Sequence, residues 1–173
     1  MQTRFLMIGS VLLLLCAEIC NGQTANYSAR QTANEFYRHH FLRGDRMYFE
    51  PENIEFKRKW FTPKLYNLML NEFHRATAYA KAHPEQILKP YFSGDVFTDA
   101  ESLPQVYRVT SSRQFSGKVI VTVWMYWNDD SIGKMKRKVR VVLLKQNKHW
   151  LIDNLLYEAG ENLVTQLKRP SYY

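Results

Sequence analysis

Cysteine is almost missing from this sequence: two occur in 173 residues, Cys16 and Cys20. Both lie in an N-terminal segment that reads as an export signal. Arg4 supplies its positive start and Phe5 to Ala17 is nearly all apolar. Cys20-Asn21-Gly22 then puts small residues at the two positions a signal peptidase inspects. Cleavage after Gly22 would make Gln23 the first residue and leave the domain without a thiol. That excludes disulfides, a cysteine nucleophile and a thiolate metal centre, so stability must come from an apolar core. The apolar run is shorter than the roughly 20 residues a spanning helix needs. Leu15 and Ile19, which precede the cysteines, are larger than lipoprotein processing generally accepts. The expectation is an exported protein, periplasmic or extracellular, with residues 1–22 removed.

Glycine is sparse, with 7 residues. Neither a glycine-rich phosphate loop nor a dinucleotide fingerprint is present, and Ser93-Gly94 lacks the flanking glycine of a nucleophile elbow. The 5 histidines are His39, His40, His74, His83 and His149. None forms a His-x-x-x-His pair, and the adjacent His39 and His40 would diverge by about 100° on a helix. No metal and no cofactor is expected, and the histidines are expected at the surface or a pocket edge. Repeats, low-complexity tracts and Gly/Ser/Pro linkers are also missing, which leaves one domain over 23–160 and a polar C-terminal tail over 161–173 that frays.

Acid is in short supply. Lys and Arg number 24 against 16 Asp and Glu, a formal net charge of +8. Arg4 and Glu18 cancel within the signal, so the processed domain keeps the whole excess. For an exported chain that charge suits an anionic envelope component, lipid headgroups or an acidic protein rather than nucleic acid. A solvated basic surface that aids solubility is the plain alternative.

What is abundant is apolar and aromatic: 46% hydrophobic, with 11 Tyr, 10 Phe and 4 Trp. Ala29, Ala33, Phe36, Tyr37 and Phe41 share one face of a helix expected over Thr24–Leu42, with Thr24 as its cap and Gly44 as its stop. Residues 45–61 fit a short helix or an extended connection. Thr62 then caps a second helix with Pro63 at its first position. Its stripe is Leu65, Leu68, Met69, Phe73, Ala76 and Ala80, and His83-Pro84 ends it. From Tyr107 the period changes to two. Val119, Val121, Val123 and Met125 alternate with Ile120, Thr122, Trp124 and Tyr126, a strand apolar on both faces and therefore central. Asn128 to Gly133 turns the chain into Met135–Lys145, and Gln146-Asn147-Lys148 turns it into His149–Tyr157. Tyr107–Ser112 makes a fourth strand. Helices first and strands after them argue for an α+β fold with an antiparallel sheet.

This order, with Pro90-Tyr91-Phe92-Ser93-Gly94-Asp95 between the halves and Trp150-Leu151-Ile152-Asp153-Asn154 in the last strand, resembles the nuclear transport factor 2-like superfamily. More narrowly, it resembles exported bacterial members grouped as domains of unknown function, over roughly Thr24–Tyr157. The resemblance implies helices wrapped on a curved antiparallel sheet that forms a cone, and a fold that hosts enzymes, binding modules and inhibitory partners alike.

Enzymes of that fold use a pocket aspartate as general base with an acidic or tyrosine partner. The candidates here are Asp95, Asp153, Tyr91, Tyr126 and Tyr157. Against that, Asp95 follows Ser-Gly and suits a local turn hydrogen bond, while Asp153, alternating with Leu151 and Leu155, suits a loop cap or a lysine partner. Two basic features remain. Lys57-Arg58-Lys59 precedes the second helix, and Lys134, Lys136, Lys138 and Arg140 fall on one strand face with about 7 Å between successive charges. Lysine on an exposed strand also guards against edge-to-edge aggregation. The favoured reading is a non-enzymatic binding domain that uses its basic surface or cone mouth. A hydrolase or isomerase with a pocket aspartate, an immunity-type inhibitor of a secreted toxin, and a homodimer through the sheet face stay open. Intact mass of protein recovered from an exporting host checks the processing. A chain starting at Gln23 is expected; a retained 1–22 segment or added acyl mass would remove the signal-peptide reading.

Overall fold

The computed structural model describes residues 25, 27–42, 49–84, 94–100, 102–129 and 133–169. The signal-like segment, Thr24, Gly44 and Tyr91 lie outside them.

Helix α1 covers 27–41. Ala29, Ala33, Phe36 and Tyr37 lie on one face and are fully buried. His40, one turn beyond Phe36, continues that face and is also fully buried, its ring stacked 6.1 Å from that of Phe36. A surface or pocket-edge position was expected for it; the helical period instead carries it inward.

The connection over 45–61 proves helical where it is described. Helix α2 is Pro51–Lys57, followed by one 3-10 turn, Arg58–Trp60. Pro51 occupies the first turn, where its missing N–H would have had no partner. Helix α3, Pro63–Ala82, starts as its sequence predicts: Thr62 is extended and its hydroxyl accepts the Leu65 N–H at 3.2 Å. Its innermost residues are Leu65, Met69, Glu72 and Ala76. Leu68 and Phe73 are half-buried and Ala80 is exposed, so the stripe is rotated from the one expected. Glu72 tolerates burial because Arg75, one turn on, reaches its carboxylate.

Four antiparallel strands follow in a meander: β1 Val106–Phe115, β2 Lys118–Asp129, β3 Gly133–Gln146 and β4 His149–Leu156, in the order β1-β2-β3-β4. The result is an α+β fold in which the helices pack on one face of a curved antiparallel sheet. That inner face carries Val119, Val121, Val123 and Met125 of β2, Val139, Val141 and Leu143 of β3, and Ile152 and Leu155 of β4, all fully buried. Trp150 is buried with them and its indole N–H donates to Ser28 Oγ of α1 at 2.9 Å. A bulge interrupts the β3–β4 ladder where Leu143 pairs Ile152 and Val142 pairs Asn154, so Asp153 is the extra residue. Phe61 bridges to Ile152, and the Thr62 N–H donates to Ile152 O at 2.9 Å, tying the start of α3 to that strand.

The segment after Gly160, expected to fray, instead forms helix α4, Leu163–Lys168. Asn162 caps it by accepting the Thr165 N–H at 3.0 Å, and Leu163 and Leu167 are buried. Leu163 and Leu167, four apart, with Val164 packed beside them, are enough to dock one turn and a half of helix.

Met69→Ala should lower the unfolding free energy by about 2–5 kcal/mol, the usual range for emptying a packed core site. Leu68→Ala, at a half-buried position beside Leu167, should cost less. A denaturation midpoint that falls further for Leu68→Ala would mean the wrong face of α3 has been set against the sheet.

Candidate functional site

The two candidate aspartates are both buried, and both are engaged. Asp95 opens a tight turn: its N–H donates to Ala100 O at 2.7 Å, and its own carbonyl accepts the Asp99 N–H at 2.9 Å. Its Oδ1 accepts the Phe97 N–H at 2.9 Å. Its Oδ2 takes the Thr98 hydroxyl at 2.8 Å and His40 Nε2 at 2.6 Å. Two phenols hold the same turn, Tyr37 donating to Phe97 O at 2.9 Å and Tyr157 to Val96 O at 2.8 Å. Phe97 thereby reaches the middle of the fold, stacked 5.8 Å from Phe61 and edge-on to Phe36 at 5.4 Å. The turn between the helical and strand halves is thus a plug packed into the interior. Asp153, displaced by its bulge, accepts the Thr62 hydroxyl at 3.1 Å and so braces the cap of α3.

Tyr126 and Tyr157 fall on opposite faces of the sheet, Tyr126 outside and Tyr157 in the core. Tyr91 lies outside the described residues. Of the candidate pocket residues, Asp95 and Tyr157 meet at the 94–100 turn, while Asp153 lies at the cap of α3 and Tyr126 on the outer face.

The outer face of the sheet gathers charge and rings. Cross-strand register aligns Arg108, Trp124 and Lys138 in one row and Val106, Tyr126 and Lys136 in the next, with Arg140 opposite Thr122. The ammonium groups of Lys136 and Lys138 stand 5.3 and 5.5 Å from the Trp124 ring, and the Arg108 guanidinium 5.8 Å from that of Tyr126. Lys134, Lys136 and Arg140 are exposed; Lys138 is half-buried and lies 3.8 Å from Glu158. The sequence pattern marks the four β3 cations. It does not mark Arg108, Trp124 and Tyr126 as their neighbours, because only register brings three strands together.

The Lys57-Arg58-Lys59 run does not act as one patch. Lys57 is buried with its ammonium 5.1 Å from Phe97, Arg58 lies over Tyr66 beside Glu55, and Lys59 lies over Trp60 at 4.3 Å. Next to Lys59 an open cleft of about 780 Å³ separates α1 from the β3–β4 turn.

Among the described residues no three His, Cys, Asp or Glu side chains cluster as metal ligands, and no helix is long and apolar enough to cross a membrane. No family model, curated protein or solved structure matches this chain.

Burial raises the Tyr37 and Tyr157 phenols well above the ordinary 10.0, with the nearby Asp95 adding to the effect on each. The unfolded chain loses these protons as pH passes 10.0, while the folded chain keeps them. Their contribution to stability is therefore complete below that pH and falls as pH rises beyond it. Tyr157→Phe should cost about 1–3 kcal/mol at neutral pH by stranding the Val96 carbonyl, and should flatten the alkaline loss. Urea unfolding on both sides of the tyrosine pKa measures both effects. An alkaline slope as steep in the variant as in the parent would show that Tyr157 does not carry it.

Proposed function

We propose that this chain is an exported, non-enzymatic binding domain of the nuclear transport factor 2-like type, which captures a linear polyanion of the cell envelope on the outer face of its sheet. The observation that carries the reading is the row of β3 cations set against Trp124 and Tyr126. On a rigid strand alternate side chains recur about every 7 Å. Lys134, Lys136, Lys138 and Arg140 therefore offer a periodic charge to a partner whose own charges repeat. Glu158 is the one acid paired to this row in the described residues.

The superfamily assignment is supported by the order of helices followed by an antiparallel meander, and export by the N-terminal segment. A pocket-aspartate enzyme is less well supported, since both oxygens of Asp95 accept internal donors and Asp153 braces Thr62. A homodimer through this face would set two basic ridges against each other, and like charges at such range repel. Lipid headgroups and an acidic protein, a toxin included, are alternative occupants that the same experiment separates.

The test is retention of the protein on an immobilised carboxylated polysaccharide and on anionic vesicles. Polymer capture should be strong at low salt and fall steeply as the Debye length shrinks from about 10 Å at 0.1 M to about 3 Å at 1 M. Lys136→Glu with Arg140→Glu should weaken it about tenfold while leaving stability within about 0.5 kcal/mol, because both positions are exposed. Lys138 is left alone, since a carboxylate there would face Glu158. Equal retention of parent and double variant, or capture by vesicles without capture by polymer, would reject the proposal.

A further inference from the structure

The cleft beside α1 has a lining unlike that of the outer face. Its floor is set by two tryptophans held in place, Trp150 by its bond to Ser28 and Trp60 by His39, whose ring lies 4.9 Å away, and by the Lys59 ammonium. Cations stand at its rim in Arg38 and Lys59. Between them are groups that both donate and accept, the side-chain amides of Gln146 and Asn147. Glu35, an acceptor only, also lines it and takes a hydrogen bond from Gln31 at 3.2 Å.

The turn that forms one wall is conformationally unusual. Gln146 pairs with His149, so the hairpin has two central residues, Asn147 at φ 48° and Lys148 at φ 71°. A two-residue hairpin of this hand favours Asn followed by Gly, because a side chain at the second position crowds the backbone. The chain carries a lysine there instead, between the lining residues Asn147 and His149. The turn sets Asn147, its first central residue, against the cleft.

The lining discriminates among ligands. A simple anion would meet Arg38 and Lys59 but would be opposed by Glu35. An acyl chain would strand the amides of Gln146 and Asn147. A sugar bearing a carboxylate uses every group: its carboxylate suits the planar fork of Arg38, its hydroxyls can donate to Glu35 and exchange bonds with the amides, and its C–H face can rest on the edge of an indole. A cleft of about 780 Å³ is within the range for small-molecule sites. The geometry points to this cleft as a binding site for an acidic saccharide unit, separate from the outer face of the sheet.

The test uses glucuronate as probe, with glucose and acetate as controls, and follows indole and amide resonances of the full domain. Glucuronate should shift Trp60, Trp150 and the Asn147–His149 turn saturably, and half-saturation should take roughly tenfold more glucose or acetate. Arg38→Gln should weaken glucuronate roughly tenfold. Lys59→Gln should weaken it too, and because Lys59 is exposed the fold is retained, so this loss cannot be ascribed to misfolding. Lys136→Glu with Arg140→Glu should bind glucuronate as the parent does, whether or not the outer face captures a polymer. Acetate binding as well as glucuronate would reduce the cleft to an anion site and overturn the inference. So would shifts confined to Trp124, or unchanged affinity in both Arg38→Gln and Lys59→Gln.

Discussion

The buried carboxylate of Asp95 is the constraint on which the rest of the structure turns. Removing such a group from water costs several kcal/mol unless its oxygens find donors. Here its partners come from two places: the turn itself, through Phe97 and Thr98, and helix α1, through His40. Satisfying Asp95 therefore fixes α1 and the 94–100 turn relative to one another, and Tyr37 and Tyr157 clamp the next two carbonyls, tying the residue after β4 to the same turn. Phe97 follows as a passenger into the aromatic cluster of Phe36 and Phe61. The turn and its rings pack between α1 and Phe61 in the core.

Among the described residues the inner face of the sheet is covered by the helices and the 94–100 turn, and the outer face is set apart from it by the strand period. On β2 and β3 one set of alternate residues, Val119 to Met125 and Val139 to Leu143, lies under the helices, and the other carries Trp124, Tyr126, Lys134, Lys136, Lys138 and Arg140 together with Ile120, Thr122 and Val142. Charge on that second set costs little in stability because it is hydrated, and it is held in register by backbone hydrogen bonds that do not depend on it. The cleft near the β3–β4 turn uses a different device. It gathers mixed polar groups from a helix, a 3-10 turn and a hairpin, none of which is contiguous in sequence with the others.

Much of this was legible beforehand wherever one local rule operated alone. Thr62-Pro63 gave the start of α3, and strict alternation from Val119 gave a central strand with an apolar inner side. Legibility failed where a residue's fate depends on something distant. His40 is polar by type, and only its period within α1 and a carboxylate 55 residues away make it a core residue. Asp153 reads as sharing a face with Leu155 until the bulge shifts the phase of β4. Leu163 and Leu167 look too few to hold a helix until α3 and β4 provide a surface for them. The ring neighbours of the basic ridge follow from inter-strand register, which a single strand's pattern does not contain.

The indole of Trp150 bonded to Ser28 links positions 122 residues apart. Its consequence concerns synthesis and not the finished molecule. The hairpins of the sheet join neighbours in sequence and can close as soon as each is made. Helix α1 emerges early and Tyr107 of β1 can stack on its Phe41, yet its contact with Trp150 waits for β4. The contact that closes α1 onto the far edge of the sheet therefore forms only after all four strands have been made, and until then the chain is incompletely compacted.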